Sequence, residues 1–161
     1  MEDGTLNYDF ALDYARPPQD RRVLPRVFLS VELFPEQAAP ATVKATLDTG
    51  AQVSAFDGNV ALAAGWTIDD IVERALDSFP IYGLGSGPAI TGYVHEITGY
   101  LGGYTRFAEL KLRVLITRPD RLAFSVLGRF NFFEQVDVTF AERNRRLYFR
   151  FHDPSVLHDY V

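Results

Sequence analysis

The sequence predicts an all-β domain carrying one or two short helices. Three observations lead there. Apolar and polar residues alternate with period two over several stretches, the pattern of strands with one buried face. Aromatic residues make up 14% of the chain, with 13 Phe and 8 Tyr, residue types that favour strands. The 12 Gly and 9 Pro are spread between these stretches, as frequent turns require. A length of 161 residues is one ordinary domain. Its 47% hydrophobic and 23% charged residues are a globular composition. Cysteine is absent, so a disulfide framework, a thiolate nucleophile and a cysteine zinc site are all excluded. A net charge of −5 argues against a general nucleic-acid binder. The apolar runs fall far short of the roughly 18 residues that a membrane span takes. The acidic start Met1-Glu2-Asp3-Gly4 lacks the basic and apolar regions of a signal peptide, and a cytoplasmic location is expected.

The elements follow in order. Leu6, Tyr8, Phe10, Leu12 and Tyr14 alternate with polar residues and predict a half-buried strand, which Pro17-Pro18 ends. Residues 1–22 are expected as an N-terminal arm or an extra strand. An extra edge strand is the simpler reading, and a cover for the cleft is the sharper one. Val23 to Phe34 is a second strand, with Val27, Leu29, Val31 and Leu33 on one face. After the turn at 35–40, Val43, Ala45 and Leu47 alternate toward Asp48. Val53 to Phe56 is apolar enough for a buried strand. Asp57 can cap a helix over Val60–Ala64 that Gly65 ends, and Thr67 with Asp70 resembles a capping box opening a second helix through Arg74. From Phe79 the pattern is strand-like again. The glycine-rich stretch Gly83-Leu84-Gly85-Ser86-Gly87-Pro88 predicts a hairpin. Strands over Tyr93–Leu101, Leu110–Ile116 and Phe124–Leu127 come next, then a single helical turn at Asn131–Glu134. A final hairpin pairs Val136–Phe140 with Leu147–Phe151 around an Arg-rich tip, and 152–161 is expected as a C-terminal tail.

The residues that carry chemistry centre on Asp48-Thr49-Gly50, at the end of an apolar strand. Alone, Asp-Thr-Gly suits any turn. Its frame is more specific: Ala51, Gln52 and Ser54 follow it, the glycine-rich hairpin comes next, and Val126-Leu127-Gly128-Arg129 lies further on. In this order the elements over residues 23–151 resemble the retropepsin-like aspartic proteases, the retroviral proteases and their bacterial and retroelement relatives. The resemblance implies a retropepsin-like acid protease barrel, one lobe per chain. It implies a homodimer that hydrolyses polypeptide substrate with a water activated between two aspartates, and no metal or other cofactor. One carboxylate acts as general base and the other, protonated, as general acid.

Carried over by position, Asp48 is the catalytic aspartate. Thr49 hydrogen-bonds across the dimer, Gly50 allows close approach, and Ser54 is a buried hydroxyl supporting the loop. Leu127 and Gly128 pack behind the loop, and Arg129 is a structural arginine. Tyr82, Gly83, Leu84, Gly85, Ser86 and Gly87 fall in the flap, which closes over substrate. The chain departs from the pattern at Gln52, where retroviral enzymes carry an aspartate that pairs with the arginine, and at Phe130, where an acidic residue is usual. Ala51 replaces a serine that elsewhere bonds the carboxylate, so activity is expected to peak at mildly acidic pH. The alternative reading is the same fold kept as a dimerisation or peptide-binding module without turnover. His95, His152 and His158 show no metal-ligand spacing and read as surface or hydrogen-bonded residues. Arg143, Arg145 and Arg146 read as a solvated hairpin tip.

Overall fold

The computed structural model of the chain describes residues 8–15, 24–33, 40–82 and 87–160. These form eleven strands and two short helices. The strands are β1 (Phe10–Asp13), β2 (Arg26–Leu33), β3 (Ala41–Leu47), β4 (Ser54–Phe56), β5 (Ser78–Ile81) and β6 (Ile90–Gly102). They continue with β7 (Arg106–Ile116), β8 (Ser125–Leu127), β9 (Val136–Ala141), β10 (Arg146–Phe151) and β11 (Leu157–Asp159). Helices α1 (Asn59–Ala63) and α2 (Ile68–Glu73) lie between β4 and β5. Among the described residues no helix is long and apolar enough to cross a membrane.

Eight strands form one sheet in the order β11-β7-β4-β8-β3-β2-β6-β5. A further pairing of β7 with β6 closes β7-β4-β8-β3-β2-β6 into a barrel. Closure leaves these six strands without free edges along their shared length. The fold is therefore the expected all-β one. Alternation in the sequence sets the inside of the barrel. Val27, Leu29, Val31 and Leu33 of β2 are buried, as are Ala41, Val43, Ala45 and Leu47 of β3. β7 adds Leu110, Leu112, Val114 and Ile116, all buried in the same core.

A second sheet, β1-β10-β9, packs on this core. The final hairpin forms as expected, with β9 and β10 antiparallel. β1 pairs with β10, Phe10 opposite Phe149 and Asp13 opposite Arg146. Phe10 and Tyr14 are buried, and Phe10 lies 5.5 Å by ring centroid from both Phe149 and Phe151. The Tyr14 hydroxyl donates to Glu142 Oε1 at 3.0 Å. Burial first, then this carboxylate, push the Tyr14 phenol up to about 12. Phe10 and Tyr14 are thus part of the core, and β1 is an added strand on the edge of β10. Leu6 and Pro17-Pro18 lie outside the described residues.

Four details differ from the sequence expectations. Asp57 is not the formal cap of α1; Gly58 holds that place without a side-chain bond. Asp57 is buried and accepts the backbone N–H groups of Asn59, Asp120, Arg121 and Leu122, at 3.0, 3.2, 2.9 and 3.0 Å. It thereby ties the start of α1 to the loop before β8. Gly58 allows this approach, since a Cβ there would stand 2.3 Å from the Thr117 carbonyl oxygen. Second, Asn131–Glu134 is not a regular helical turn: Phe130 is extended and Asn131 has φ 71°. Third, the segment expected as a tail holds β11, which pairs with the start of β7, Leu157 opposite Ala108. Arg146, expected at a solvated tip, stands 3.3 Å from Asp13 and over the Tyr148 ring. The capping box of α2 forms as expected. Asp70 N–H donates to Thr67 Oγ1 at 3.1 Å, and Thr67 N–H donates to Asp70 Oδ2 at 2.8 Å.

Two measurements check this account. Phe10→Ala is expected to cost about 3–5 kcal/mol in urea unfolding, the loss typical of a buried phenylalanine. A chain starting at Arg21 should be destabilised further, because it also loses Tyr14. For Asp57, burial disfavours the charge, but the four backbone N–H bonds outweigh it and hold the carboxyl below its ordinary value. A depressed folded value means that the stability Asp57 supplies is present above its unfolded value, near about pH 4. It is lost as pH falls through the folded value. Asp57→Asn should therefore lower the urea midpoint at neutral pH and flatten its fall between about pH 5 and about pH 2.

Candidate active site

Of the residues singled out by sequence, Asp48–Gln52 and Ser54 form one loop and Leu127–Arg129 the segment that crosses behind it. β3 delivers Leu47, fully packed in the core, and the chain then turns outward at Asp48-Thr49-Gly50, all exposed. The turn is closed by Ala51 N–H donating to the Asp48 carbonyl at 3.1 Å. Asp48 Oδ1 accepts the Gly50 N–H at 2.9 Å, which orients the carboxylate. A Cβ on Gly50 would stand 3.2 Å from that oxygen, so glycine suits the position by closeness. The hydroxyl of Thr49 makes no hydrogen bond among the described residues.

Behind the loop runs β8, parallel to β3 with Leu47 opposite Leu127. Four backbone N–H groups lock the two segments. Asp48 N–H donates to the Leu127 carbonyl at 3.0 Å. Arg129 N–H donates to Ala51 and Phe130 N–H to Gln52, at 2.9 and 2.7 Å. Gly128 N–H donates to Ser54 Oγ at 3.0 Å, and Ser54 is buried. Gly128 has no room for a side chain: a Cβ would lie 2.4 Å from the Val53 carbonyl oxygen. Leu127 is fully buried, and the Arg129 side chain is exposed. The guanidinium of Arg129 and the side-chain amide of Gln52 make no hydrogen bond among the described residues.

Sequence reasoning missed a second hydroxyl that plays the role of Ser54 on the crossing strand. Ser125, also buried, accepts the Asp57 N–H at 3.2 Å. β4 and β8 cross antiparallel at one residue pair, Ala55 opposite Val126. The first residue of each strand thus closes the exit of the other with its hydroxyl. The serine two residues before Leu127 was the available signal.

The glycine-rich hairpin forms from β5 and β6, with Ser78 opposite Tyr93 and Ile81 opposite Ile90. Tyr82 is exposed at its start and Gly87 at its end; Gly83, Leu84, Gly85 and Ser86 lie outside the described residues. The hairpin root is joined to the loop-bearing strands by a small apolar cluster of Ala55, Val94 and Leu115, against which Ile81, Leu122 and Val126 pack. A separate groove of about 720 Å³ lies outside β6 and β7, lined by Glu96, Thr98, Lys111, Arg113, Phe130 and Asn131 among others. Asp48 does not line it.

None of the histidines bonds Asp48 among the described residues. His95 is buried with Nε2 2.9 Å from the Ile71 carbonyl, and burial lowers its pKa. His152 bonds Asp137, which raises its pKa, and His158 stands 3.5 Å from Glu109. Among the described residues no group of three or more His, Asp or Glu side chains is placed to hold a metal ion.

The closed barrel thus carries an Asp-Thr-Gly loop braced by the crossing Leu127-Gly128 segment, with the β5–β6 hairpin joined to the same strands. Comparison with solved structures gives the particular fold. The crystal structure of a retropepsin-like aspartic protease from Rickettsia conorii matches with a TM-score of 0.55 and 14% identity, over 87% of this chain and 90% of that chain. EIAV protease complexed with the inhibitor HBY-793 matches at 17% identity over 71% of this chain and 88% of that chain, with a TM-score of 0.41. No protein-family model and no curated protein sequence matches the chain. On the first of these structures, the chain has a retropepsin-like fold.

The Ser54 bond generates a direct test. Ser54→Ala leaves a buried N–H of Gly128 without an acceptor, so it should cost about 1–3 kcal/mol in unfolding free energy. The amide of Gly128 should then exchange with solvent faster, as read by NMR.

Proposed function

We propose that the chain is an aspartic endopeptidase, working in the cytoplasm as a homodimer on polypeptide substrate. The observation that carries this reading is the placement of Asp48. Its carboxylate stands exposed at the end of β3, oriented by Gly50 N–H, on a loop braced from behind by Leu127–Phe130. In a chain with a retropepsin-like fold, that is where half of an aspartate dyad would stand. Two such loops, one from each protomer, would bring two Asp48 carboxylates together, with each Thr49 bonding across. Like charges so close do not both ionise, so the pair holds one proton and titrates as a unit.

The chemistry then follows. The ionised Asp48 takes a proton from a water held between the two carboxylates, and the water oxygen adds to the peptide carbonyl carbon. The protonated Asp48 donates to the carbonyl oxygen as the tetrahedral intermediate forms. Collapse breaks the C–N bond, with a proton delivered to the leaving nitrogen. The β5–β6 hairpin would act as the flap, excluding water and offering backbone groups to an extended substrate. Ile81 and Val126, both half-buried near its root, favour apolar side chains beside the bond cleaved.

Asp48→Asn tests the reading. Its side chain is exposed and its amide oxygen still accepts from Gly50, so the fold should persist with an unchanged melting temperature. Cleavage of a peptide library should fall by about 10³-fold or more. Equal cleavage by both forms would reject the mechanism. A dimer that binds peptides and cleaves none would mark a binding module instead.

A further inference from the structure

We infer that Asn131 and Gln135 are positioning residues for the Asp48 loop, holding it through the turn that braces it. This rests on the protease reading only in what the loop is for. The reasoning starts at a gap along β7. One edge of β7 pairs with β11 over Arg106–Ala108 and with β4 over Val114–Ile116. Between them no strand covers that edge among the described residues. Two side-chain amides take the place of a strand there. Asn131 Oδ1 accepts the backbone N–H of Arg113 at 2.7 Å. Gln135 Nε2 donates to the Lys111 carbonyl at 2.9 Å and to the Asn131 carbonyl at 2.6 Å. Asn131 N–H in turn donates to Glu134 Oε1 at 3.0 Å.

The turn so anchored begins at Gly128. Phe133 N–H donates to the Gly128 carbonyl, and the fully buried Phe132 pins its middle. Its other side is the pair of N–H groups, Arg129 and Phe130, that hold Ala51 and Gln52. A continuous path of short bonds therefore runs from the β7 backbone through Asn131 to the loop that carries Asp48. Asn131 sits at φ 71°, a left-handed conformation that asparagine adopts more readily than most residues. Residue type here answers two demands at once, the backbone conformation and an acceptor at Oδ1.

The two positions have opposite chemical needs, and this separates positioning from general packing. Position 131 needs an acceptor, so Asp can serve. Position 135 needs a donor, so an ionised Glu cannot serve although it has the same shape. Asn131→Gly keeps the backbone conformation and removes the acceptor. The experiment compares the full chain with N131G, N131D and Q135E at about pH 6, where a glutamate stays ionised. Amide exchange is read by NMR and peptide cleavage by kcat and KM. N131G and Q135E are expected to speed exchange at Asp48, Arg129 and Phe130 as well as at Arg113. They should lower kcat about tenfold or more with little change in KM, as a misplaced reacting group does. N131D should recover most of the loss. Faster exchange confined to Arg113, with Asp48, Arg129 and Phe130 unchanged, would overturn the inference. So would equal effects of N131D and N131G. If the parent chain cleaves no peptide, the protease reading fails by itself, and the exchange pattern still decides the positioning role. Should N131G not fold, the isosteric Q135E carries the decision by the same readings.

Discussion

The structure depends on one constraint: the backbone of Leu127–Phe130 lies flat against the loop from Asp48 to Ser54. The contact is made of main-chain groups and the Ser54 hydroxyl, and it tolerates no side chain at Gly128. Parallel pairing of β3 with β8 follows from it, because Leu47 and Leu127 must end side by side for Asp48 N–H to reach the Leu127 carbonyl. The barrel order follows too. β8 can reach β3 only by passing between it and β4, which puts β4 next to β7 and lets β7 meet β6 to close the ring.

Polar groups buried by this arrangement are answered almost wholly by backbone. Ser54 and Ser125 each take the N–H that leaves the neighbouring strand, and Asp57 collects four N–H groups from two segments. A carboxylate so surrounded stays charged despite burial, because each bond favours the ionised form. The same logic on the surface gives little. The Arg113–Glu96 pair at 3.4 Å joins two well-exposed side chains and contributes little to stability. The interior polar bonds are the ones that fix geometry, since each unpaired partner there would be costly.

How much of this could be read from sequence depended on whether a burial pattern or a single bond carried the information. β2 and β3 were legible because one face of each is buried and the alternation records it. The Asp48 loop, the Gly128 strand and the glycine-rich hairpin were legible because their order and residue types are distinctive. The capping box at Thr67 was legible because both partners lie within one turn. Other features left no periodic trace. Asn131-Phe132-Phe133-Glu134 read as a helical turn, yet Asn131 has a positive φ and its Oδ1 accepts the N–H of Arg113, distant in sequence. β11 is only three residues long and both His158 and Asp159 are exposed, so its side chains carry no alternation. Asp57 read as a local cap because its nearest donor is local. Its other three donors lie in the loop before β8, beyond any local window.

The length of β6 has a mechanical consequence. The strand spans 13 residues, and only its first part, Ile90–Tyr93, belongs to the hairpin with β5. From Tyr93 to Gly102 it is hydrogen-bonded to β7, and over Ile97–Tyr100 also to β2. It is a beam clamped along most of its length with one free end. The clamp ends at Tyr93, which pairs with both Ser78 and Ile116, and the next residue outward is Gly92. Bending stress from any movement of the hairpin therefore concentrates at that junction. There a Cβ would crowd Leu115 and Ile81, and glycine leaves the strand at its thinnest. The barrel supplies the stiffness of the mounting, since β6 is held on β7 from Tyr93 to Gly102 and carries β5 only on the short stretch beyond.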